Sequence, residues 1–487
     1  MADHDLVNVV ALVDQLQPAL HRNDRATVNG IIAQLIAANA PMGDQWQQLA
    51  YIAAGYGEHG LACRAMDLLV AYWGGRPSAQ FKKVSFLSLL NNWREADALL
   101  QTIPEGVPDP ATHIFKRGTA ALNLGRIDEA RSHLERLTRM RPQSGFAWFS
   151  LSMTIDFSQE PALADRLVAG ASEMAGAATE QRAAYFYAMG KAYADRGEHA
   201  QAFDAFGTGA RLMKTMVAYK RDEDRVDAER AIEGYTAERI AAIAGQQREA
   251  TDRTIFVMGL PRSGTTLVEQ ILTSHSAVTD GGETGRMILL AGEVGGGSWS
   301  ALARYAEAAG VASAAGLWAH WQHELFPAPG RVIDKTLNTS RFLGLAAALL
   351  PEAPLIWMTR DPLDCAWSCF RTSFSGAAVP WSYDLGDIAA HFRLEDRLLA
   401  QWQQILGDRL LVLPYEALVT DPDTWIRRVL QHCGLAEESQ VFAPHENKRP
   451  VATASTAQVR RPIHRAGVGA AEPYRAFLKP FIEAYCN

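Results

Sequence analysis

Apolar positions follow a helical period through the first half of the chain and gather into short strand-like runs in the second half. Residues 1–245 are rich in Ala, Leu, Arg, Glu and Gln, which predicts one helix after another. Residues 254–258, 355–359 and 410–413 are apolar runs, each followed by a turn and a helix-like stretch. Strands that alternate with helices favour an α/β domain with a mostly parallel sheet. We therefore expect an N-terminal helical domain over 1–245 and a C-terminal domain over 250–487.

Small and aromatic residues recur within the helical half at the spacing of a helix-pair repeat. Small residues such as Gly118 would let paired helices approach closely, whereas Phe186 and Phe206 would fill the space between neighbouring pairs. The spacing resembles the tetratricopeptide repeat and predicts an all-α, tetratricopeptide-like solenoid. The concave face of such a solenoid suits a peptide or protein partner.

The most informative segment is a predicted strand, a glycine-rich turn and an amphipathic helix. Gly259 and Gly264 frame the turn Gly-Leu-Pro-Arg-Ser-Gly-Thr-Thr, in which backbone N–H groups and the helix N-terminus form a phosphate pocket. The Lys that a P-loop nucleotide triphosphatase carries after the second glycine is Thr265 here, which disfavours triphosphate hydrolysis. Because Arg262 supplies a cation between the glycines, a single 5′-phosphate or a phosphosulfate is the better fit.

This turn resembles that of the sulfotransferases that use 3′-phosphoadenosine 5′-phosphosulfate (PAPS). The likeness covers about residues 250–485 and is greatest to tyrosylprotein sulfotransferases and to bacterial proteins that join tetratricopeptide repeats to such a domain. It implies a P-loop-type α/β sulfotransferase domain that uses PAPS as co-substrate and needs no metal. The turn residues that the resemblance assigns to PAPS are Arg262, Ser263, Gly264, Thr265 and Thr266.

Later segments resemble further motifs of the same family. Glu283, in Gly-Gly-Glu-Thr, matches the catalytic glutamate, which would take the proton from the acceptor hydroxyl. Lys335 follows an apolar run and matches the catalytic lysine, which would stabilise the leaving group. Arg360 and Ser368 match the 3′-phosphate motif, for which the guanidinium fork is well suited. The remaining residues that the resemblance places around the nucleotide and the sulfuryl group are Tyr415, Ser455 and Arg461.

Two departures from the family pattern bear on the acceptor and on the 3′-phosphate. The tyrosylprotein enzymes carry an Arg two positions after the glutamate, where this chain has Gly285 and places its Arg at Arg286. A basic residue that is common in the last segment is replaced by the stretch 469–471, so that Arg461 or Arg465 would have to substitute for it. His275 is a minor alternative to Glu283 as base.

The resemblance favours tyrosine of a peptide or protein as the acceptor. A carbohydrate, lipid or small-molecule acceptor is the alternative, as is a non-catalytic repeat scaffold with a nucleotide-binding domain. A small-molecule P-loop kinase is disfavoured by the missing Lys.

Composition and charge narrow the class of protein further. The chain carries 47 Lys and Arg against 54 Asp and Glu, a net charge of −7, which argues against a general nucleic-acid binder. Its longest apolar stretches are shorter than the ~20 residues of a membrane-spanning helix. The five cysteines are scattered without zinc spacing, and no secretory signal is visible, so we expect a cytoplasmic protein with no metal.

Overall fold

The N-terminal half of the chain is helical, as the apolar period predicts. The computed structural model describes residues 3–374, 378–447 and 461–486. Its helices before the sheet are α1 (Asp3–His21), α2 (Arg25–Ala37), α3 (Gln45–Gly55), α4 (His59–Tyr72), α5 (Pro77–Leu89), α6 (Trp93–Leu100), α7 (Pro110–Asn123), α8 (Ile127–Met140), α9 (Gly145–Ser152), α10 (Pro161–Ala169), α11 (Thr179–Asp195), α12 (His199–Lys214), α13 (Arg221–Ile232) and α14 (Ala237–Ala244).

Neighbouring helices of this half pack as pairs, namely α3 with α4, α5 with α6, α7 with α8 and α11 with α12. The α7–α8 pair shows how the sequence specifies this. Asp109 caps α7 by accepting the Thr112 N–H at 3.0 Å, and a Cβ at Gly118 would lie 2.7 Å from Leu134 Cγ. The close approach predicted at Gly118 is therefore present, and the assignment of the pairs to tetratricopeptide repeats stays a prediction.

A parallel five-stranded sheet with helices around it forms the C-terminal half, which confirms the predicted fold class. The strands are β1 (Thr254–Gly259), β2 (Val278–Thr279), β3 (Arg331–Asp334), β4 (Leu355–Thr359) and β5 (Leu410–Pro414). The helices are α15 (Thr265–Leu272), α16 (Arg286–Val294), α17 (Trp299–Ala309), α18 (Val311–Leu325), α19 (Leu343–Leu349), α20 (Pro362–Phe370), α21 (Leu385–Leu406), α22 (Tyr415–Thr420), α23 (Pro422–His432) and α24 (Lys479–Cys486). In the described ranges, no helix is both long and apolar enough to cross a bilayer.

The strand order β2-β3-β1-β4-β5 places β1 at the centre of the sheet. In register, Phe256 of β1 pairs with Asp334 of β3, and Gly259 pairs with Met358 of β4. Because all strands run parallel, their carboxyl ends meet at one edge, which is where open α/β sheets bind ligands. The turns that follow the strands, and the predicted site residues on them, therefore lie along a single edge.

Helices α13 and α14 share a hydrophobic cluster with the sheet. Tyr235 and Ile240 are buried together with Phe256 and Trp402, and the Tyr235 hydroxyl donates to the Gly297 carbonyl at 2.9 Å. Earlier helices contact the C-terminal half as well, since α11 and α12 pack against α20 and α21. The predicted boundary between residues 245 and 250 stays a prediction, but the two halves are extensively packed together.

Candidate active site

The glycine-framed turn after β1 has the backbone of a phosphate-binding loop. Gly259 and Gly264 have φ values of 141° and 113°, which L side chains rarely adopt. A Cβ at Gly264 would also lie 2.8 Å from the ring of Tyr415. Thr265 is the first residue of α15, so the free N–H groups of this helix point at the space enclosed by the turn. The turn thus provides backbone donors for an anion.

Two arginines and a tyrosine from three segments converge beside this turn. Arg262 Nε donates to Ser368 Oγ at 3.0 Å, and Arg360 Nη1 donates to the Arg262 carbonyl oxygen at 2.8 Å. The guanidinium of Arg360 also donates to the Gly467 carbonyl and lies over the ring of Tyr415, 4.7 Å from its centroid. These contacts bring together the predicted nucleotide-binding residues from the turns after β1, β4 and β5.

We call the space that they enclose the arginine cavity; its volume is ≈ 120 Å³. The polar residues that line it are Arg262, Thr266, Arg360, Ser368, Arg371, Tyr415, Arg461 and His464. Among the described residues, no carboxylate lines it. Burial, together with repulsion from Arg371, lowers the pKa of Arg262 to about 10, so that Arg262 is still protonated at neutral pH. A polyanion is therefore the ligand that this cavity favours.

Arg371 is a member of the arginine cavity that sequence reasoning missed. It lies three residues after Ser368, at the C-terminal end of α20, and burial lowers its pKa. The spacing from Ser368 could have indicated it, because residues three apart share a helix face. The motif used to find the site ended at Ser368, however, and did not extend one helical turn further.

The segment before α24 closes one side of the arginine cavity through its backbone. Gly469 and Ala471 donate their N–H groups to the buried Asp364 carboxylate at 2.7 and 2.8 Å. Arg461 lines the cavity, whereas Arg465 is exposed and is not among the described lining residues. The stretch 469–471, which lacks the family's basic residue, thus binds this segment to α20 through backbone hydrogen bonds. Ser455, predicted to touch the sulfuryl group, lies outside the described residues.

The predicted base and the predicted catalytic lysine are in direct contact. Lys335 Nζ donates to Glu283 Oε1 at 2.9 Å and lies 3.9 Å from Glu269 Oε2. We call these three residues the acid–lysine cluster. The Lys335 side chain is 3% exposed and that of Glu283 is 41% exposed. Burial alone would lower the pKa of Lys335, but attraction by Glu269 and Glu283 outweighs it and raises the pKa, so the ammonium keeps its charge.

Hydrogen bonds fix the Glu283 turn to the end of β3. The Lys335 N–H donates to the Gly282 carbonyl at 2.9 Å, and the Thr284 hydroxyl donates to Asp334 Oδ2 at 2.8 Å. The Gly285 N–H donates to Thr336 Oγ1 at 3.0 Å. Glu283 is therefore held on both sides of its own position, which leaves its carboxylate in a defined place beside Lys335.

His275 does not have the environment of a catalytic base. Its Nε2 contacts the Ala436 carbonyl at 3.0 Å, and its Nδ1 accepts the Ala277 N–H at 3.0 Å. Both ring nitrogens are therefore used to hold the main chain. Arg286, in turn, is 2% exposed, and its guanidinium carbon lies 5.7 Å from the ring centroid of Trp321.

Helix α15 links the two groups of residues. Thr266, in its first turn, lines the arginine cavity, and Glu269, one turn later, faces Lys335. Along the sheet edge, the turns after β2 and β3 carry the acid–lysine pair, and those after β4 and β5 carry residues predicted to bind the nucleotide. The central turn after β1 lies between them. This order places an anion-binding cavity next to a carboxylate and an ammonium group.

A further group of residues has the composition of a metal site but lies where α4 meets α18. The ligand atoms of Glu58, His320 and Glu324 are all within 4.8 Å of one another. Glu324 accepts the N–H groups of His59 and Gly60, and Glu58 accepts from His320 at 2.9 Å and from Arg25 at 3.2 Å. These bonds join the helical half to the C-terminal half.

The segment that carries these residues is similar to known proteins. A curated relative is an uncharacterized protein of Aquifex aeolicus (strain VF5), which is 26% identical over 419 residues; the match covers 84% of this chain and 54% of the relative. The chain thus spans about half the length of that relative.

Among solved structures, the sulfotransferase domain of the Synechococcus PCC 7002 olefin synthase is 18% identical with a TM-score of 0.36; the match covers 49% of this chain and 96% of that one. Mouse sulfotransferase SULT7A1 complexed with PAP is 14% identical with a TM-score of 0.31, over 51% of this chain and 90% of that one. The family model for the sulfotransferase family matches residues 253–439. This segment contains Arg262, Glu283, Lys335 and Arg360, and it is similar to the sulfotransferase family, as the motifs predict.

Proposed function

We propose that this chain transfers a sulfuryl group from PAPS to an acceptor hydroxyl. The observation that carries the proposal is the juxtaposition at one sheet edge of a carboxylate-free arginine cavity, among the described residues, and the acid–lysine cluster. The cavity suits the two phosphates of the carrier, and the cluster supplies a base and a cation for the transfer.

The donor would lie with its 5′-phosphosulfate on the turn after β1 and its 3′-phosphate near Arg360 and Ser368. Arg262 belongs to the turn that would hold the 5′-phosphosulfate, and it contacts Ser368, which would hold the 3′-phosphate. Arg262 would therefore lie between the two phosphates. Arg371 and Arg461 add charge to the same cavity. Planar guanidinium groups favour bidentate contacts with phosphate oxygens, which supports a doubly phosphorylated carrier.

Transfer requires one proton acceptor and one cation near the leaving oxygen. The bond between sulfur and the bridging oxygen of the 5′-phosphate breaks, and a new sulfur–oxygen bond forms to the acceptor. Glu283 would take the acceptor proton, since its carboxylate is partly exposed, and Lys335 would stabilise the charge left on the phosphate. The products are the sulfated acceptor and 3′-phosphoadenosine 5′-phosphate (PAP).

We favour tyrosine of a peptide or protein as the acceptor, on the resemblance to the tyrosylprotein enzymes. A carbohydrate, lipid or small molecule is the alternative. Arg286 is buried against Trp321 and so offers no cation to an acidic peptide. We therefore propose a tyrosyl acceptor without proposing that acidic residues surround the tyrosine.

Calorimetry with PAP and ATP tests the donor assignment. We expect PAP to bind and ATP to bind at least about tenfold more weakly, a difference of about 1.4 kcal/mol, because the cavity has the turn of a phosphate loop without its lysine. The reverse preference would reject PAPS as donor. Incubation with radiolabelled PAPS and a cell lysate then shows whether label enters protein, glycan or small-molecule fractions.

A further inference from the structure

A second, larger cavity lies between the helical half and the C-terminal half. Its volume is ≈ 810 Å³, and it is an open groove. We call it the α13 groove, because residues of α13 and of the segment before it form one wall. Its other walls come from α16, the turn after α16 and the 3₁₀ segment Thr339–Phe342. Neither half of the chain forms this groove alone.

Two residues of the groove lie close along the chain to the acid–lysine cluster. Ile288, which lines it, is the third residue of α16, and α16 starts three residues after Glu283. Asn338, which also lines it, lies three residues after Lys335. Helix α16 and the segment Thr339–Phe342 contact each other, and α13 contacts that segment, so that the groove lies only a few residues along the chain from Glu283 and Lys335.

A buried ion cluster fixes α13 as a wall of the groove. Asp224 accepts from Tyr219 Oη at 2.5 Å, His391 Nδ1 at 2.6 Å and Arg341 Nη2 at 2.9 Å. Burial alone would raise the pKa of Asp224, but the His391 and Arg341 contacts lower it well below its ordinary value. The helical half therefore supplies a rigid part of the groove.

The lining of the groove combines apolar side chains with charged residues of both signs. Ile288 is 47% exposed, and Phe342 and Tyr219 are half-buried. On the rim, Lys220 lies 2.8 Å from Glu223, and Arg230 lies 3.9 Å from Asp227, so that each cation has a carboxylate beside it. Such a rim offers no net positive charge to an acidic ligand.

We propose that the α13 groove binds the peptide segment around the acceptor tyrosine, and that this segment is neutral or of mixed charge rather than acidic. The inference rests on the proposed function. The volume lies near the upper end of the ~300–1,000 Å³ that is typical of small-molecule sites, and the groove is open, so that a chain could extend beyond a tyrosyl side chain bound there. The helical half is thereby part of the acceptor site and not a separate module.

Three tyrosyl peptides of equal length, with acidic, neutral and basic flanks, test the charge preference of the full chain. We expect the neutral peptide to have the highest kcat/KM. In the variant Asp227→Lys, kcat/KM for the acidic peptide should rise about 2- to 20-fold, since a repulsion is removed and an attraction gained at an exposed position. Asp222→Lys is the matched control, because Asp222 lies on the same helix, is 95% exposed and is not among the described lining residues.

A second pair of variants tests the apolar wall without relying on charge. Ile288→Gln should raise KM for the neutral peptide about 5- to 30-fold and leave PAP affinity unchanged, because removing an apolar contact costs about 1–2 kcal/mol. Leu89→Gln, at a side chain that is 63% exposed on α5, is the control and should change neither quantity.

The outcomes separate this inference from the proposed function. Three results would overturn the groove assignment and leave the sulfotransferase proposal standing. They are a preference for the acidic peptide, label only in glycan or small-molecule fractions, and no difference between the groove variants and their controls. Failure of the wild-type chain to bind PAP or to transfer label from PAPS to any acceptor would overturn both.

Discussion

The two ends of the sheet edge differ in the charged side chains that form them. In the arginine cavity, four of the described lining residues are arginines, and the described lining contains no carboxylate. In the acid–lysine cluster, one ammonium group faces two carboxylates, Glu283 and Glu269. Several cations lining one cavity favour binding of a polyanion, whereas a cation that is hydrogen-bonded to a carboxylate favours a fixed geometry for proton transfer. Substitutions at the two ends should therefore affect different measured quantities.

The largest effect is expected at Glu283. Glu283→Gln keeps the shape of the side chain but removes the base, so kcat should fall about 10²- to 10⁴-fold. PAP affinity should be unchanged, because Glu283 is not among the described residues of the arginine cavity. Single-turnover transfer and calorimetry measure the two quantities. Glu249→Gln, at an exposed position in the segment before β1, is the control, and near-normal turnover in Glu283→Gln would eliminate this residue as base.

The next effect is expected at the other end, in Arg371→Met. Loss of a hydrogen bond to a charged group costs about 1.5–3 kcal/mol, so PAP affinity should fall about 10- to 150-fold. The exposed Arg465 gives the control variant Arg465→Met. Calorimetry at two salt concentrations should also show a weaker salt dependence for Arg371→Met, since one charge contact is lost. Wild-type affinity in this variant would remove Arg371 from the nucleotide site.

The smallest effect is expected at Thr336, which positions the acid–lysine cluster without belonging to it. Thr336→Val removes the acceptor of the Gly285 N–H and should lower the free energy of unfolding by about 1–3 kcal/mol. It should lower kcat several-fold, with PAP affinity unchanged, because the Glu283 turn loses one of its bonds to β3. Thr208→Val, whose exposed hydroxyl donates to a carbonyl within α12, is the control. A fall in PAP affinity instead would contradict the separation of the two ends.

Local sequence specified much of this site because each motif directly follows a strand. The turn of Gly259 and Gly264, Lys335 and Arg360 could all be placed in this way, since parallel strands bring their carboxyl ends to one edge. Strand β2 could not be predicted, because its two residues, Val278–Thr279, are too few to show a period.

What sequence could not show is the packing between distant segments. From the sequence, Glu269 is one polar position of an amphipathic helix. Its contact with Lys335 arises only from the tertiary fold. The contact of Asp224 with His391 and Arg341 joins residues more than a hundred positions apart. Such pairings depend on tertiary structure, which local periodicity does not encode.

The cluster that α13 and α14 share with the sheet bears on how the chain could be divided for expression. A fragment begun at residue 250 would lack a group of side chains that cover one face of the sheet: Ala228, Ala231, Tyr235, Ile240 and Ile243. Each Å² of apolar surface that the cut exposes to water would lower the stability of the fragment by about 25 cal/mol. The shortest piece able to fold by itself should therefore start ahead of α13, within sequence that by its pattern alone reads as solenoid.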